Sequence, residues 1–171
     1  MPEFLTLLPP DQARDKLLSH LSTAIIDSES LAADSAVGRV TAEDVVAPHP
    51  LPEFPRTTVD GYAVRARDTF GATDSLPAYL HLIGEVPMGD EPSFEVGAGL
   101  CALIHTGGEV PKSPDAGVVV GFTQQIGGVG SSRPEIEIFK SVADGENVIR
   151  IGEDVAQDQV VISKGTVLRP A

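Results

Sequence analysis

Four prolines, Pro48, Pro50, Pro52 and Pro55, fall within eight positions in "PHPLPEFPR". Each fixes its own φ, lacks an N–H donor and restricts the residue before it, so this stretch is extended or turned and cannot be helical. It divides the chain into two textures. On the N-terminal side, "PPDQARDKLLSHLSTAI" predicts a helix introduced by Pro9 and Pro10 with Asp11 as its cap. Leu17, Leu18 and Leu21, with Ala13 and Ala24 in approximate phase, form a one-sided apolar stripe. A shorter helical turn is expected over 35–40. Beyond the prolines helical periodicity disappears.

From Tyr62 onward the pattern is β. Strands are expected at Tyr62–Arg65, Ala78–Val86, Leu100–His105, Gly117–Thr123, Glu135–Lys140, Gln159–Ile162 and Thr166–Leu168. The clearest alternation is "PEIEIFK", which places Ile136 and Ile138 on one face and Glu135 and Glu137 on the other. Glycine and proline punctuate at short intervals, in "GEVPMGDEP", "EVGAG" and "TGGEVPKSPDAG". Without helices to make crossovers, the strands are expected to be short and antiparallel. The fold class is mainly β with an N-terminal helix.

Composition removes whole classes of function. Hydrophobic residues make up 42% of 171, too many for a disordered chain and enough for one core or two small ones. Apolar runs such as 117–122 are too short to span a bilayer, so no membrane partner is expected. "MPEFLTLLPPDQARD" has neither the basic start nor the cleavage site of a secretion signal, and the single cysteine, Cys101, permits no internal disulfide. A cytoplasmic location is the expectation. With 12 Lys and Arg against 25 Asp and Glu, the formal net charge of −13 argues against nucleic acid and makes an anionic ligand hard for this chain to hold alone.

Few residues stand out as chemical. His20, His49, His81 and His105 have no metal-ligand spacing and read as surface or strand residues. Cys101, in "GLCALI", reads as a small core residue. "TGGEVP", 106–111, admits two readings: a nest of backbone N–H groups for an anion, or a plain strand-ending turn. Asp60, directly before Gly61 and Tyr62, is either a turn cap or an exposed carboxylate presented for chemistry. "GED" at 152–154 reads first as a polar turn.

Three segments together resemble the MoeA family, the molybdopterin molybdenumtransferases, which includes the E domain of gephyrin. "GRVTAEDVVAPHPLPEFPRTTVDGYAVRARDT" is similar to the family's N-terminal signature ending in "MDGYAV". "LIHTGGEVPKSPDAGVVV" is similar to "TGAxxPxGADAVV", and "GENVIRIGEDVAQDQVVISKGTVL" to "GxNxRxxGEDxxxGxxxxxxGxxL". The blocks occur in family order. Val59 stands where Met is usual, Thr57 and Thr58 replace Ser and a small residue, Gly108 replaces Ala, and Phe122 follows a strand often closed by a polar residue.

The resemblance implies an elongated domain I built from 1–54 and 142–171, with a β domain II of bifurcated or coiled antiparallel sheets inserted over 55–141. It implies that these are the first two domains of a longer protein. In the family, a homodimer places the active site between the β domain of one subunit and the molybdopterin-binding α/β domain of the other. The reaction inserts molybdate into adenylated molybdopterin and releases AMP, with Mg²⁺ assisting. Carried onto this sequence, Asp60 and Thr106 become catalytic candidates, and Thr57, Gly61, Gly107 and Asp154 substrate-binding ones; no metal ligand is assigned. A non-catalytic scaffold of the gephyrin E type is the alternative.

Overall fold

The computed structural model describes residues 7–21, 27–127 and 134–170. Its helix, α1, spans Pro10–His20, with proline at its start where a missing N–H costs nothing. Asp11 does not cap it: the N-cap is Pro9, no side chain bonds there, and Asp11 sits in the first turn, where the helix dipole favours an anion. Leu17, Leu18 and Leu21 are all exposed, so the apolar stripe lies open, while Ala24 falls outside the described residues. The second helical turn is a 3₁₀ turn at Ala33–Ser35, slightly earlier than expected.

Ten short strands follow among the described residues: β1 (Val45–Val46), β2 (Arg56–Thr57), β3 (Gly61–Val64), β4 (Ala78–Glu85), β5 (Leu100–Ile104), β6 (Ala116–Val119), β7 (Thr123–Ile126), β8 (Glu135–Ile138), β9 (Val148–Ile149) and β10 (Val160–Ile162). β1 pairs with β10 and β2 with β9, both antiparallel. The remaining six form one sheet in the order β6-β3-β5-β4-β8-β7. Its two edge strands, β6 and β7, are consecutive in the chain, joined only by the 3₁₀ turn Val120–Phe122. A three-residue link between opposite edges forces the sheet to curl until those edges approach, giving a half-barrel.

That link also corrects the expected strand at 117–123, which is two strands meeting at a turn. Another expectation fails more fundamentally: β4 and β5 are parallel, pairing His81 with Leu100 and Leu82 with Cys101. The connection over 86–99 makes the crossover as irregular chain, with no helix. Thr166–Leu168 forms no strand and contributes an isolated bridge, Val40 to Val167.

The core follows the period-two rule. Tyr62 and Val64 of β3 face Leu80, Cys101, Ala116, Val118, Ile136, Ile138 and Val142 inside the curl. Ala63, on the opposite face, packs with Val86, Ile104 and Val110. β3, second from the β6 edge, is therefore buried on both faces. β8 alternates as read, with Ile136 and Ile138 buried and both glutamates half-exposed.

Candidate functional site

Asp60 immediately precedes β3, and Thr106 lies two residues past β5. The antiparallel register pairs Gly61 with Ile104 and Tyr62 with Leu103, so one step further Asp60 stands opposite His105 at the open end of the ladder. Thr106 closes the gap. Its N–H donates to Asp60 Oδ1 at 2.9 Å and its hydroxyl to the same oxygen at 3.2 Å. The two residues carried over as catalytic thus form one hydrogen-bonded pair on an exposed rim.

These bonds, the backbone one first, hold the Asp60 carboxyl below the usual carboxylate range, and His105 adds a smaller through-space pull. A carboxylate so held stays anionic at neutral pH and is a poor proton acceptor. Its suitable tasks are orienting a cation or a water.

Gly61 is there for a reason sequence reasoning missed. Its backbone needs no unusual φ; instead a Cβ at this position would sit 1.8 Å from the Val118 carbonyl oxygen on β6. Glycine is demanded by close approach of the neighbouring strand. Gly107 does need its freedom, with φ at +84° in the turn after Thr106.

The amides of that turn are already committed. Thr106 N–H goes to Asp60, Gly107 N–H to the Thr57 carbonyl at 2.8 Å, and Gly108 N–H to the His105 carbonyl at 2.8 Å. The nest reading of "TGG" is thereby corrected: the strand-ending turn describes the segment, and these three N–H groups are not offered to an anion.

Thr57 supports the turn from within. It is buried, its N–H donates to the Gly108 carbonyl, and its hydroxyl closes a local turn with Val59, donating to Val59 O at 3.0 Å and accepting from Val59 N–H at 3.1 Å. With its hydroxyl engaged by Val59, Thr57 braces the turn through its backbone. Asp154 is exposed and accepts a hydrogen bond from Arg56 Nη2 at 3.3 Å. It reaches the Asp60 turn only through Arg56 and Thr57 of β2.

One further pair lies at this end of the sheet: His105 Nε2 meets Glu85 Oε1 at 2.8 Å. In the sequence both read as strand residues, and the position of His105 directly before Thr106 is the available signal. The surface here is open. The nearby hollow of about 410 Å³, lined by Glu91, Phe94, Glu95, Glu109 and Lys112 among others, includes neither Asp60 nor Thr106.

No group of three His, Cys, Asp or Glu side chains that could hold a metal ion occurs among the described residues. Mg²⁺ takes oxygen ligands in octahedral geometry, and Asp60, with one oxygen already accepting two bonds and Glu85 engaged by His105, does not make such a site by itself. Likewise, no helix among the described residues is long and apolar enough to cross a membrane.

Known proteins with the same features are numerous. Residues 8–171 match the family described as the MoeA N-terminal region, domains I and II. The molybdopterin molybdenumtransferase of Bacillus subtilis is 31% identical over 170 residues, 99% of this chain and 39% of that protein. The molybdopterin molybdenumtransferase 2 of Mycobacterium tuberculosis is 38% identical over 136 residues, 80% of this chain and 32% of that protein. The crystal structure of a molybdopterin biosynthesis MoeA protein from Pyrococcus horikoshii OT3 superposes with a TM-score of 0.81 at 39% identity, covering 96% of this chain and 41% of that one. The chain therefore spans roughly a third to two fifths of these relatives' lengths. A curled mainly-β sheet with one helix, a matching family signature over nearly every residue and a close structural counterpart agree: the chain belongs to the MoeA N-terminal region family.

Proposed function

We propose that this chain supplies one half of the active site of a molybdopterin molybdenumtransferase, a transferase of molybdenum cofactor biosynthesis that inserts molybdate into adenylated molybdopterin and releases AMP. The observation that carries the reading is the Asp60–Thr106 pair, anionic, exposed and fixed by two hydrogen bonds at the rim of the sheet. In this reading Asp60 orients a cation-bearing or hydrated part of the substrate, and Thr106 keeps the carboxylate aimed and charged. Gly61 and Gly107 shape the backbone around it, Thr57 braces the turn, and Asp154 reaches it through Arg56. If the whole protein binds Mg²⁺, the ion would neutralise phosphate charge, and Asp60 would be the residue of this chain able to offer it an oxygen.

The remaining half belongs to a partner. The reading takes the working form as a cytoplasmic homodimer in which a downstream α/β domain of the second subunit faces Asp60. The open surface around Asp60 supports this, as do the exposed apolar residues Leu17 and Leu18 on α1, Leu21 just past its end, and Val45, Val46, Val160 and Val161 on β1 and β10. The same reading assigns 1–54 and 142–171 to one elongated unit and 55–141 to an inserted one. The six-stranded sheet lies within the second range, and β1–β10 ties together the two arms of the first. β2–β9 joins the two ranges, with Arg56–Thr57 of the second pairing with Val148–Ile149 of the first.

The test is product formation. Full-length gene product given adenylated molybdopterin and molybdate should release AMP and yield molybdenum-loaded cofactor, whereas the 171-residue chain alone should not. Turnover by the short chain, or none by the full-length protein, would refute the reading.

A further inference from the structure

The Asp60 rim contains one side chain that the family pattern does not account for. β3, β5 and β4 are neighbours in the sheet, and their ends on this side carry Asp60, His105 and Glu85 in a row. The ladder register sets His105 opposite Asp60, and residues opposite one another across a sheet share a face with Cβ atoms about 5 Å apart. On the other side, Glu85 accepts the hydrogen bond from His105 Nε2 at 2.8 Å, which fixes the ring. Nδ1 has no hydrogen-bond partner among the described residues. When protonated, His105 also acts on Asp60 through space.

An oxyanion approaching this rim faces a shortage of donors. The N–H groups of Thr106, Gly107 and Gly108 are all consumed inside the turn, and the Thr106 hydroxyl donates to Asp60. Two carboxylates, Asp60 and Glu85, repel the anion, in a chain of net charge −13. What remains is the imidazole. As an imidazolium it carries a proton on each nitrogen, one held by Glu85 and the other available. A ring whose one nitrogen is held by a carboxylate is pre-oriented, which lowers the entropy cost of a charged hydrogen bond.

We propose that His105, oriented by Glu85, is a substrate-contacting residue of the Asp60–Thr106 site, donating from Nδ1 to an oxyanion. This rests on the functional reading above, and the chemistry it names is shared by a phosphoryl group and by an oxometalate.

The experiment is an NMR titration of the 171-residue chain at about pH 6, where imidazole side chains carry substantial positive charge. Inorganic phosphate, AMP and molybdate are added separately, and the His105 ring and Thr106 amide signals are followed. The internal control is His81, on the same sheet and 4.0 Å from Glu135. His105 and Thr106 should shift saturably while His81 stays still. His105→Gln should weaken the apparent affinity, read at Thr106, by about tenfold or more, since it removes a charged donor. Response to phosphate and AMP alone assigns the contact to a phosphoryl group, response to molybdate alone to the oxometalate, and response to all three to a shared oxyanion position. Unmoved His105 signals with every probe, equal movement of His81, or unchanged affinity in His105→Gln would each overturn the inference. None of these readouts requires turnover, so failure here and failure of the full-length protein to release AMP are separate results.

Discussion

Replacing Gly61 by alanine places a methyl carbon where there is no room for one. A Cβ built on Gly61 lies 1.8 Å from the Val118 carbonyl oxygen, 2.9 Å from its carbon and 3.0 Å from the Val120 nitrogen. All three are backbone atoms of β6 and its following turn, so no side chain can swing aside. Relief requires β3 and β6 to separate by more than an ångström, against a normal strand spacing of about 4.8 Å. That separation stretches the pairing from Gly61–Val119 through Val64–Ala116, and the Val120 N–H to Asp60 carbonyl bond with it. Losing two or three buried bonds at about 1 kcal/mol each, together with about 1–3 kcal/mol of overpacking strain, gives about 3–6 kcal/mol of destabilisation. A domain of this kind is stable by about 5–15 kcal/mol in total, so the variant should be marginal or unfolded. Urea unfolding followed by circular dichroism measures it, with Gly121→Ala as the control, because nothing lies within 4 Å of a Cβ there. The control should stay within about 0.5 kcal/mol of the parent. If Gly61→Ala unfolds with the parent's midpoint and slope, the close approach of β6 is wrong, and Gly61 has to be explained by contact with substrate instead.

Three other outcomes follow from the same packing. Thr69 is fully buried, its hydroxyl donating to the Ala66 carbonyl at 2.8 Å and accepting from Val142 N–H at 3.0 Å; Thr69→Val should cost about 1–3 kcal/mol in denaturant unfolding by orphaning that amide. Asp68 is held below the usual carboxylate range, first by the Arg65 hydrogen bond and then by the Gly99 N–H. Its native form resists protonation more than the unfolded chain does, so its stabilisation is present above about pH 4 and lost as pH falls through the lower native value; Asp68→Asn should flatten the acid limb of the stability curve. Burial pushes the Cys101 thiol up to about 12, so a thiol reagent at pH 8 should label it only after denaturant is added.

Legibility in the sequence tracked the range over which each constraint acts. β8 was visible because Ile136 and Ile138 alternate with glutamates inside seven residues. β1, β2 and β9 were not: each is two residues long and exists only because a partner about ninety or more residues away supplies its hydrogen bonds. The parallel β4–β5 pair escaped for a related reason, since its crossover over 86–99 carries no helical period to announce it. At the candidate site, Asp60 and Thr106 form one hydrogen-bonded pair. What surrounds them could not be read locally. The need for glycine at 61 comes from β6, the burial of Thr57 from the turn that packs over it, and the row from Glu85 through His105 to Asp60 from strand order alone.

Cofactor synthesis by the full-length gene product carrying Asp60→Asn, paired with thermal unfolding of the same variant of the 171-residue chain, tests the central claim most directly. Asparagine keeps the shape and the acceptor oxygen that Thr106 uses, and removes only the charge. The account predicts a rate lowered by about a hundredfold or more, as for other fixed electrostatic groups. It predicts a melting temperature within about 2 °C of the parent, as for a substitution at an exposed turn. A variant that makes cofactor at the parent's rate, or one that loses its stability along with its activity, would contradict it and leave Asp60 as a turn cap.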